Sequence, residues 1–173
     1  RLQIEAIGAA DTLEVGDVAA VQRAVDAFNN LNDLEKNLVP LASRDALKAM
    51  VTTINTNAQT AAEISAQLLK LPAAADVDTA AEEAQVSDAR AAYDKLTDAQ
   101  KTWVSSAALQ HLTAVESDIR TNLTIAEAFA DAVAALPGND QLSKTAAKQV
   151  EMVDAAYKKM SSAQKYRVSA ATL

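Results

Sequence analysis

Two long stretches of the chain, 44–71 and 107–136, contain no glycine or proline and place apolar residues at alternating steps of three and four. This spacing is typical of the buried seam between packed α-helices. At 1.5 Å per residue, each stretch predicts a helix of roughly 40 Å. The seam positions are Leu47, Met50, Ile54, Asn57, Ala61, Ile64, Leu68 and Leu71 in the first stretch, and Leu112, Val115, Ile119, Asn122, Ala126, Phe129, Val133 and Leu136 in the second.

A motif between the two stretches recurs at nearly equal intervals along the chain. AYDKLTDAQKTWV at 92–104 is followed by AYKKMSSAQKYRV at 156–168 and preceded by the more divergent AFNNLNDLEKNLV at 27–39. Self-similarity at a fixed period indicates tandem units that stack on their neighbours. The chain therefore predicts three copies of one helical repeat.

Each copy is expected to form a three-helix bundle with a short extra helix at one turn. We place the first repeat at 1–57, truncated at its N-terminus, the second at 58–122, and the third at 123–173, truncated at its C-terminus. Because the long stretches cross both boundaries, the last helix of one repeat is expected to run unbroken into the next. The predicted fold is all-α, with tandem bundles joined by shared continuous helices in an elongated array. Its likeness to spectrin is one of geometry only.

Asn57 and Asn122 fall at the two predicted joints between repeats. At a joint the apolar stripe of the long helix stops packing against one bundle and starts packing against the next. A polar residue is tolerated there, because neither core needs apolar surface at that position. A ligand-binding role for the two side chains is the alternative.

The middle helices of the second and third repeats are expected near 80–96 and 145–160. The apolar residues Val150, Val153 and Tyr157 recur at helical spacing in the later one. They are therefore expected on one face of that helix.

Each copy of the motif contains a helix start signal. A Ser, Thr or Asn is followed three residues later by Glu or Gln, which is the spacing of a capping box. In that arrangement each side chain accepts a hydrogen bond from the backbone amide of the other residue. A short helix of about two turns is expected after each cap. The predicted capping pairs are Asn32 with Glu35, Thr97 with Gln100, and Ser161 with Gln164.

Composition and charge argue against nucleic acid and membranes as binding partners. The net charge is −7, so no basic surface for nucleic acid or anionic membranes is expected. No apolar run approaches the ~20 residues of a membrane span. There is no cysteine, which excludes disulfides and thiol chemistry but leaves the compartment open. The chain is interpreted as a piece of a longer protein.

No motif for catalysis, a metal or a cofactor is found. His111 is the only histidine, so zinc has almost no ligands. The acidic stretch that begins at Asp76 lacks the spacing of a calcium loop and is better explained as a helix start. Trp103 is a weak candidate for contact with a ligand such as a sugar, and packing at the edge of the core is the favoured alternative. The sequence therefore predicts a non-enzymatic protein with no cofactor.

The motifs AAYDKLTDAQKTWV and AAYKKMSSAQKYRV, with AVAALP closing the second long stretch, resemble the helical repeats of Gram-positive bacterial surface proteins. The LTDAQK core is similar to that of three-helix modules in matrix-binding adhesins. The AALP segment resembles related albumin-binding modules, although no binding residue can be carried over. The resemblance covers essentially the whole chain and implies an extracellular setting at the cell surface or cell wall.

The sequence and the resemblance together predict a stiff structural or spacer segment of a cell-surface or S-layer protein. Its expected partners are other domains of the same protein, neighbouring copies and cell-wall polysaccharide, without nucleic acid or membrane insertion. Two alternatives stay open. One is a binding module for a host protein or a wall polysaccharide, and the other is an accessory region of a secreted glycoside hydrolase.

Overall fold

The computed structural model describes residues 3–138 and 143–168. Every regular element in these residues is helical, so the predicted all-α class is confirmed. Four short 3-10 segments lie at Gln3–Ala6, Ala10–Thr12, Val15–Asp17 and Ala74–Asp76. The α-helices are α1 (Val18–Asn29), α2 (Asp33–Leu38), α3 (Leu41–Leu69), α4 (Ala80–Asp94), α5 (Asp98–Lys101), α6 (Ser106–Ala134), α7 (Lys144–Lys159) and α8 (Ser162–Arg167).

The two long helices run unbroken through Asn57 and Asn122. Each has 29 residues and is therefore about 44 Å long. They end two residues earlier than the apolar pattern predicts, because Leu71 and Leu136 each precede a proline. The residue before proline is disfavoured in the helical conformation, so the apolar seam extends beyond the last helical turn.

The start of α3 also differs slightly from the prediction. It begins at Leu41, directly after Pro40, three residues before the predicted stretch 44–71. The amides of Ser43 and Arg44 both donate to the Pro40 carbonyl oxygen, at 3.0 and 3.1 Å. The Pro40 carbonyl is therefore the first hydrogen-bond acceptor of the helix. Proline has no backbone N–H, so no donor at this position is left without an acceptor.

The chain folds into two compact units. Unit 1 contains Arg1–Leu68 and Ala91–Leu109, and unit 2 contains Leu69–Arg90 and Gln110–Leu173. These limits differ from the repeat boundaries inferred from the sequence. The division into three repeats of three-helix bundles stays a prediction.

A hydrophobic core of unit 1 is built from three segments and from Leu13, which follows the second 3-10 segment. Residues before Gly8 contribute Ile4, α1 contributes Val21, and the first half of α3 contributes Met50. Gly8 has a φ of +103°, a left-handed conformation that favours glycine, and it ends the first segment. The buried residues of this cluster are Ile4, Leu13, Val21, Ala24, Leu47 and Met50.

Unit 2 has a core where α6, α7 and the end of α8 meet. Ala126 and Phe129 pack with Met160 and Val168, and the rings of Phe129 and Tyr157 lie 5.4 Å apart. Tilted aromatic pairs at this separation add to the packing energy.

Val150 differs from its counterparts in the other copies. It is 48% exposed, whereas the equivalent Val21 and Val86 are 2% and 4% exposed. Val153 and Tyr157 are half-buried against the core of unit 2. Helical spacing alone thus gives no measure of how much of this stripe is covered.

Candidate functional site

Three capping boxes orient the short helices α2, α5 and α8. In each box both reciprocal hydrogen bonds are present, with lengths of 2.9 to 3.2 Å. The cap residue is extended, so the chain turns sharply at the start of each short helix. The bonded pairs are Asn32 with Glu35, Thr97 with Gln100, and Ser161 with Gln164.

A fourth pair with the same pattern begins α4 and was missed in the sequence. The Glu82 amide donates to Thr79 Oγ1 at 3.3 Å, and the Thr79 amide donates to Glu82 Oε2 at 3.0 Å. The Thr79 hydroxyl also donates to Glu82 Oε2, at 2.7 Å. Hydrogen bonds from Thr79 and the Asp78 amide hold the pKa of Glu82 below its ordinary value. The signal was the Thr-x-x-Glu spacing itself.

The lysine that follows each glutamine of the second and third boxes lies near an aromatic ring. Lys101 Nζ is 5.8 Å from the centre of the Tyr93 ring, and Lys165 Nζ is 5.2 Å from the centre of the Tyr157 ring. These are cation–π distances. The lysine thus helps to hold α5 against α4 and α8 against α7.

The carbonyl of Leu13 is the first of two equivalent acceptor sites. Leu13 is 1% exposed and follows a 3-10 segment, so its carbonyl has no partner in a regular helix. The indole Nε1 of Trp103 donates to it at 3.5 Å, and Nδ2 of Asn57 donates at 3.4 Å. Both bonds are at the long end of the hydrogen-bonding range.

The carbonyl of Val77 is the second acceptor site. Val77 is fully buried, and Arg167 Nη1 donates to its carbonyl oxygen at 2.9 Å. The same nitrogen donates to the Ala163 carbonyl at 2.7 Å, and Nη2 pairs with Glu83 Oε1 at 2.7 Å. The Arg167 side chain is only 4% exposed. A buried guanidinium needs such partners, because its desolvation is costly.

These two sites are equivalent in the repeat. When the motif copies are aligned, Leu13 corresponds to Val77 and Trp103 corresponds to Arg167. In each case a residue in or after a short capped helix donates to the carbonyl of a buried residue 90 positions earlier. We call this contact the carbonyl clamp. It gives Trp103 a packing and hydrogen-bonding role within unit 1, and the structure leaves its proposed contact with a ligand untested.

The Arg167 clamp also perturbs its neighbour. Tyr166 OH donates to Glu83 Oε2 at 3.4 Å, and the Arg167 guanidinium carbon lies 5.5 Å from the Tyr166 ring centre. Desolvation, followed by the negative charge of Glu83, raises the pKa of the Tyr166 phenol.

The two asparagines at the predicted joints have different partners. Asn57 is 5% exposed and bonded to the Leu13 carbonyl, whereas Asn122 is half-buried and accepts from Gln164 Nε2 at 3.2 Å. Gln164 therefore serves both its capping box and Asn122. His111, eleven residues before Asn122 on α6, has its Nε2 at 3.1 Å from the Leu71 carbonyl oxygen, which can only accept, so this nitrogen carries a proton.

A shallow apolar groove of about 550 Å³ lies on unit 2 between α6 and α7. Phe129, Val153 and Met160 form its floor, and all three also pack in the core of this unit. Its walls are small or flexible apolar side chains, and Gln149 is the polar residue among the lining. The wall residues are Ile125, Ala128, Ala132, Ala135, Leu136, Met152 and Ala156.

The sequence contains a signal for this groove that the seam analysis overlooked. Positions 125, 128, 132 and 135 are apolar at steps of three, four and three. They form a second stripe beside the core seam of α6. Two adjacent stripes predict a helix that is apolar over a wider arc than one bundle buries.

Within the residues described, no group of three or more His, Cys, Asp or Glu side chains is arranged to hold a metal ion. None of the helices described there combines the length and apolarity that a membrane crossing requires. Comparisons of the chain with protein-family models, characterised proteins and solved structures give no match.

Proposed function

We propose that the chain is a non-catalytic structural segment, a stiff α-helical spacer of a bacterial cell-surface or S-layer protein. The observation that supports this most directly is the continuity of α3 and α6 through Asn57 and Asn122. A helix resists bending over tens of ångströms, whereas a flexible linker of equal length does not. Repeats that share such helices hold their neighbours at a fixed distance.

The carbonyl clamps provide a second line of support. A local contact that recurs in the next copy of the motif is expected of a tandem array in which each unit repeats the same supersecondary structure. The cell-surface setting comes from the resemblance of the LTDAQK-type motifs to Gram-positive surface repeats.

Small-angle scattering of the isolated chain tests the spacer. A compact chain of this length has a radius of gyration of about 16 Å. We expect a clearly larger radius and a pair-distance distribution with a long tail. A radius near that of a sphere would contradict the proposal. The measurement is made at low protein concentration, so that association does not mimic elongation.

A binding module is the second candidate function, favoured by the exposed groove on unit 2. Met152 is 63% exposed and Ile125 is 39% exposed, although both are apolar. Removal of such a patch abolishes binding in a module but leaves the scattering profile of a spacer unchanged. The nature of the partner is argued in the following section.

A further inference from the structure

The groove between α6 and α7 differs in chemistry from the equivalent surface of the second repeat. Its wall positions are apolar, but the equivalent positions on α3 and α4 are mostly polar and exposed. The equivalence aligns Asn122 with Asn57 in the long helices and Tyr157 with Tyr93 in the middle helices. The wall residues Ile125, Ala128, Ala132, Ala135 and Met152 correspond to Thr60, Glu63, Gln67, Lys70 and Asp88.

This contrast separates the groove from the general architecture. The bundle core needs the seam of Ala126, Phe129 and Val133, which has an apolar equivalent in α3. It does not need the second stripe, because the second repeat lacks one. An apolar stripe beyond the core's needs indicates a surface that another polypeptide covers.

The charges beside the groove differ in sign on its two sides. Glu127 and Asp131 lie on the α6 side, next to the second stripe, and Lys148 and Lys159 lie on the α7 side. All four are exposed, and none forms an ion pair with another residue among those described. The groove is therefore an apolar strip with one acidic edge and one basic edge.

Such a strip is complementary to itself. A two-fold axis running along the groove brings α6 of one copy against α7 of the other. The acidic edge of each copy then meets the basic edge of its partner, while the apolar walls close on each other. A two-fold interface uses the same patch on both subunits and requires this self-complementarity.

We infer that the groove is a pairing surface for a second copy of this chain, and that two α6–α7 pairs pack face to face as a four-helix bundle. The alanines of the walls permit close approach of the helices, and Met152 and Ile125 fill the space between them. Pairing goes beyond the spacer function and links two spacers laterally. Either idea can fail without the other, since scattering of a monomeric variant still tests the spacer.

Sedimentation analysis of the intact chain and three charge variants tests the pairing. The first variant carries Glu127→Lys and Asp131→Lys, and both of its groove edges are basic. The second carries Lys148→Glu and Lys159→Glu, and both edges are acidic. The control carries Glu63→Lys and Asp88→Lys, the same charge change on the equivalent polar face of the second repeat.

We expect the native chain and the control to dimerise in the micromolar range. Each groove variant alone should dimerise at least ~10-fold more weakly, because like charges face each other. Mixed together, the two groove variants should form a 1:1 heterodimer, because all four facing pairs are again opposite in charge. Met152→Glu, at an exposed position that tolerates a charge in the monomer, should also weaken the native dimer at least ~10-fold, because the interface would bury that charge.

Circular dichroism shows whether each variant keeps the helical content of the native chain. A native chain that stays monomeric up to about 1 mM would overturn the inference and leave the groove to a different protein. A dimer that tolerates both groove variants, or groove variants that fail to pair when mixed, would overturn it as well.

Discussion

The two carbonyl clamps hold the same backbone position by different chemistry. In unit 1, Trp103 reaches the Leu13 carbonyl at 3.5 Å, and Asn57 shares the acceptor. In unit 2, Arg167 reaches the Val77 carbonyl at 2.9 Å and is neutralised by Glu83. The two copies of the motif therefore have a hydrogen-bond donor at the equivalent position, although the residue differs. We infer that packing dominates the first clamp and that polar bonding dominates the second.

Substitution of Arg167 should have the largest effect. Arg167→Ala removes bonds to two carbonyls and leaves Glu83 without its cation, so we expect a loss of about 2–3 kcal/mol in the free energy of unfolding. Arg167→Lys keeps the charge but lacks the planar fork, and it should lose an intermediate amount. Urea unfolding measures both. A loss for alanine below about 0.5 kcal/mol, the lower end of the range for one hydrogen bond, would contradict the polar nature of this clamp.

Substitution of Trp103 should separate packing from hydrogen bonding. Trp103→Ala removes a half-buried ring and should cost about 2 kcal/mol, below the range for a fully buried aromatic residue. Trp103→Phe keeps most of the ring and removes only a long bond, so its cost should stay below ~1 kcal/mol. Equal losses for the two variants in urea unfolding would show that the hydrogen bond, rather than the ring, stabilises unit 1.

The shared acceptor in unit 1 should show coupling between its two donors. Either Asn57→Leu or Trp103→Phe alone leaves the buried Leu13 carbonyl one donor, but the double variant leaves it none. We expect the double variant to lose about 1 kcal/mol more than the sum of the single variants. Asn122→Leu is the matched control, since Asn122 bonds to Gln164 instead. Strict additivity in the double-mutant cycle would refute a shared acceptor.

The smallest effect concerns the cap of α4, which precedes the Glu83 partner of the second clamp. The pKa of Glu82 in the folded state lies below its ordinary value of 4.5, so its contribution to stability is present above that pH and is lost as the pH falls through the folded-state pKa. Glu82→Gln should therefore lower the unfolding free energy at pH 7 and make little difference at pH 3. A difference that is the same at both pH values would rule out the charge of Glu82 as its source.

The sequence predicted the helices and their caps well because both depend on local spacing. The capping pairs, the long helices and the acidic start of α4 each follow from residues within a few turns of one another. The carbonyl clamps were not predicted, because Leu13 and Trp103 are 90 positions apart and no local pattern links them. A hydropathy pattern also does not predict that Arg167 has the same role as Trp103, the residue at the equivalent position of the preceding motif.

The groove illustrates a different limit of sequence interpretation. Its second stripe was visible in the spacing of α6, but alanine is both the best helix former and a weak apolar residue. In the sequence, a stripe of alanines is therefore explained by helix propensity alone. The exposure of its neighbours Ile125 and Met152 in the structure shows that the stripe is part of an apolar surface. The exposure of Val150 was not predicted for a different reason, since periodicity does not reveal which face of a helix is covered.

The most direct test of the spacer is a distance measured by pulsed electron–electron spin resonance across Asn122, where the sequence predicts a joint between repeats. The chain has no cysteine, so cysteines introduced at the exposed positions Gln110 and Ala134 of α6 take up the only two spin labels. Asn122 lies between them. An unbroken helix places the two backbone positions about 36 Å apart, and we expect one narrow distribution near that value. A broad distribution, or a main peak well below it, would show that the helix bends at Asn122 and would contradict a stiff spacer.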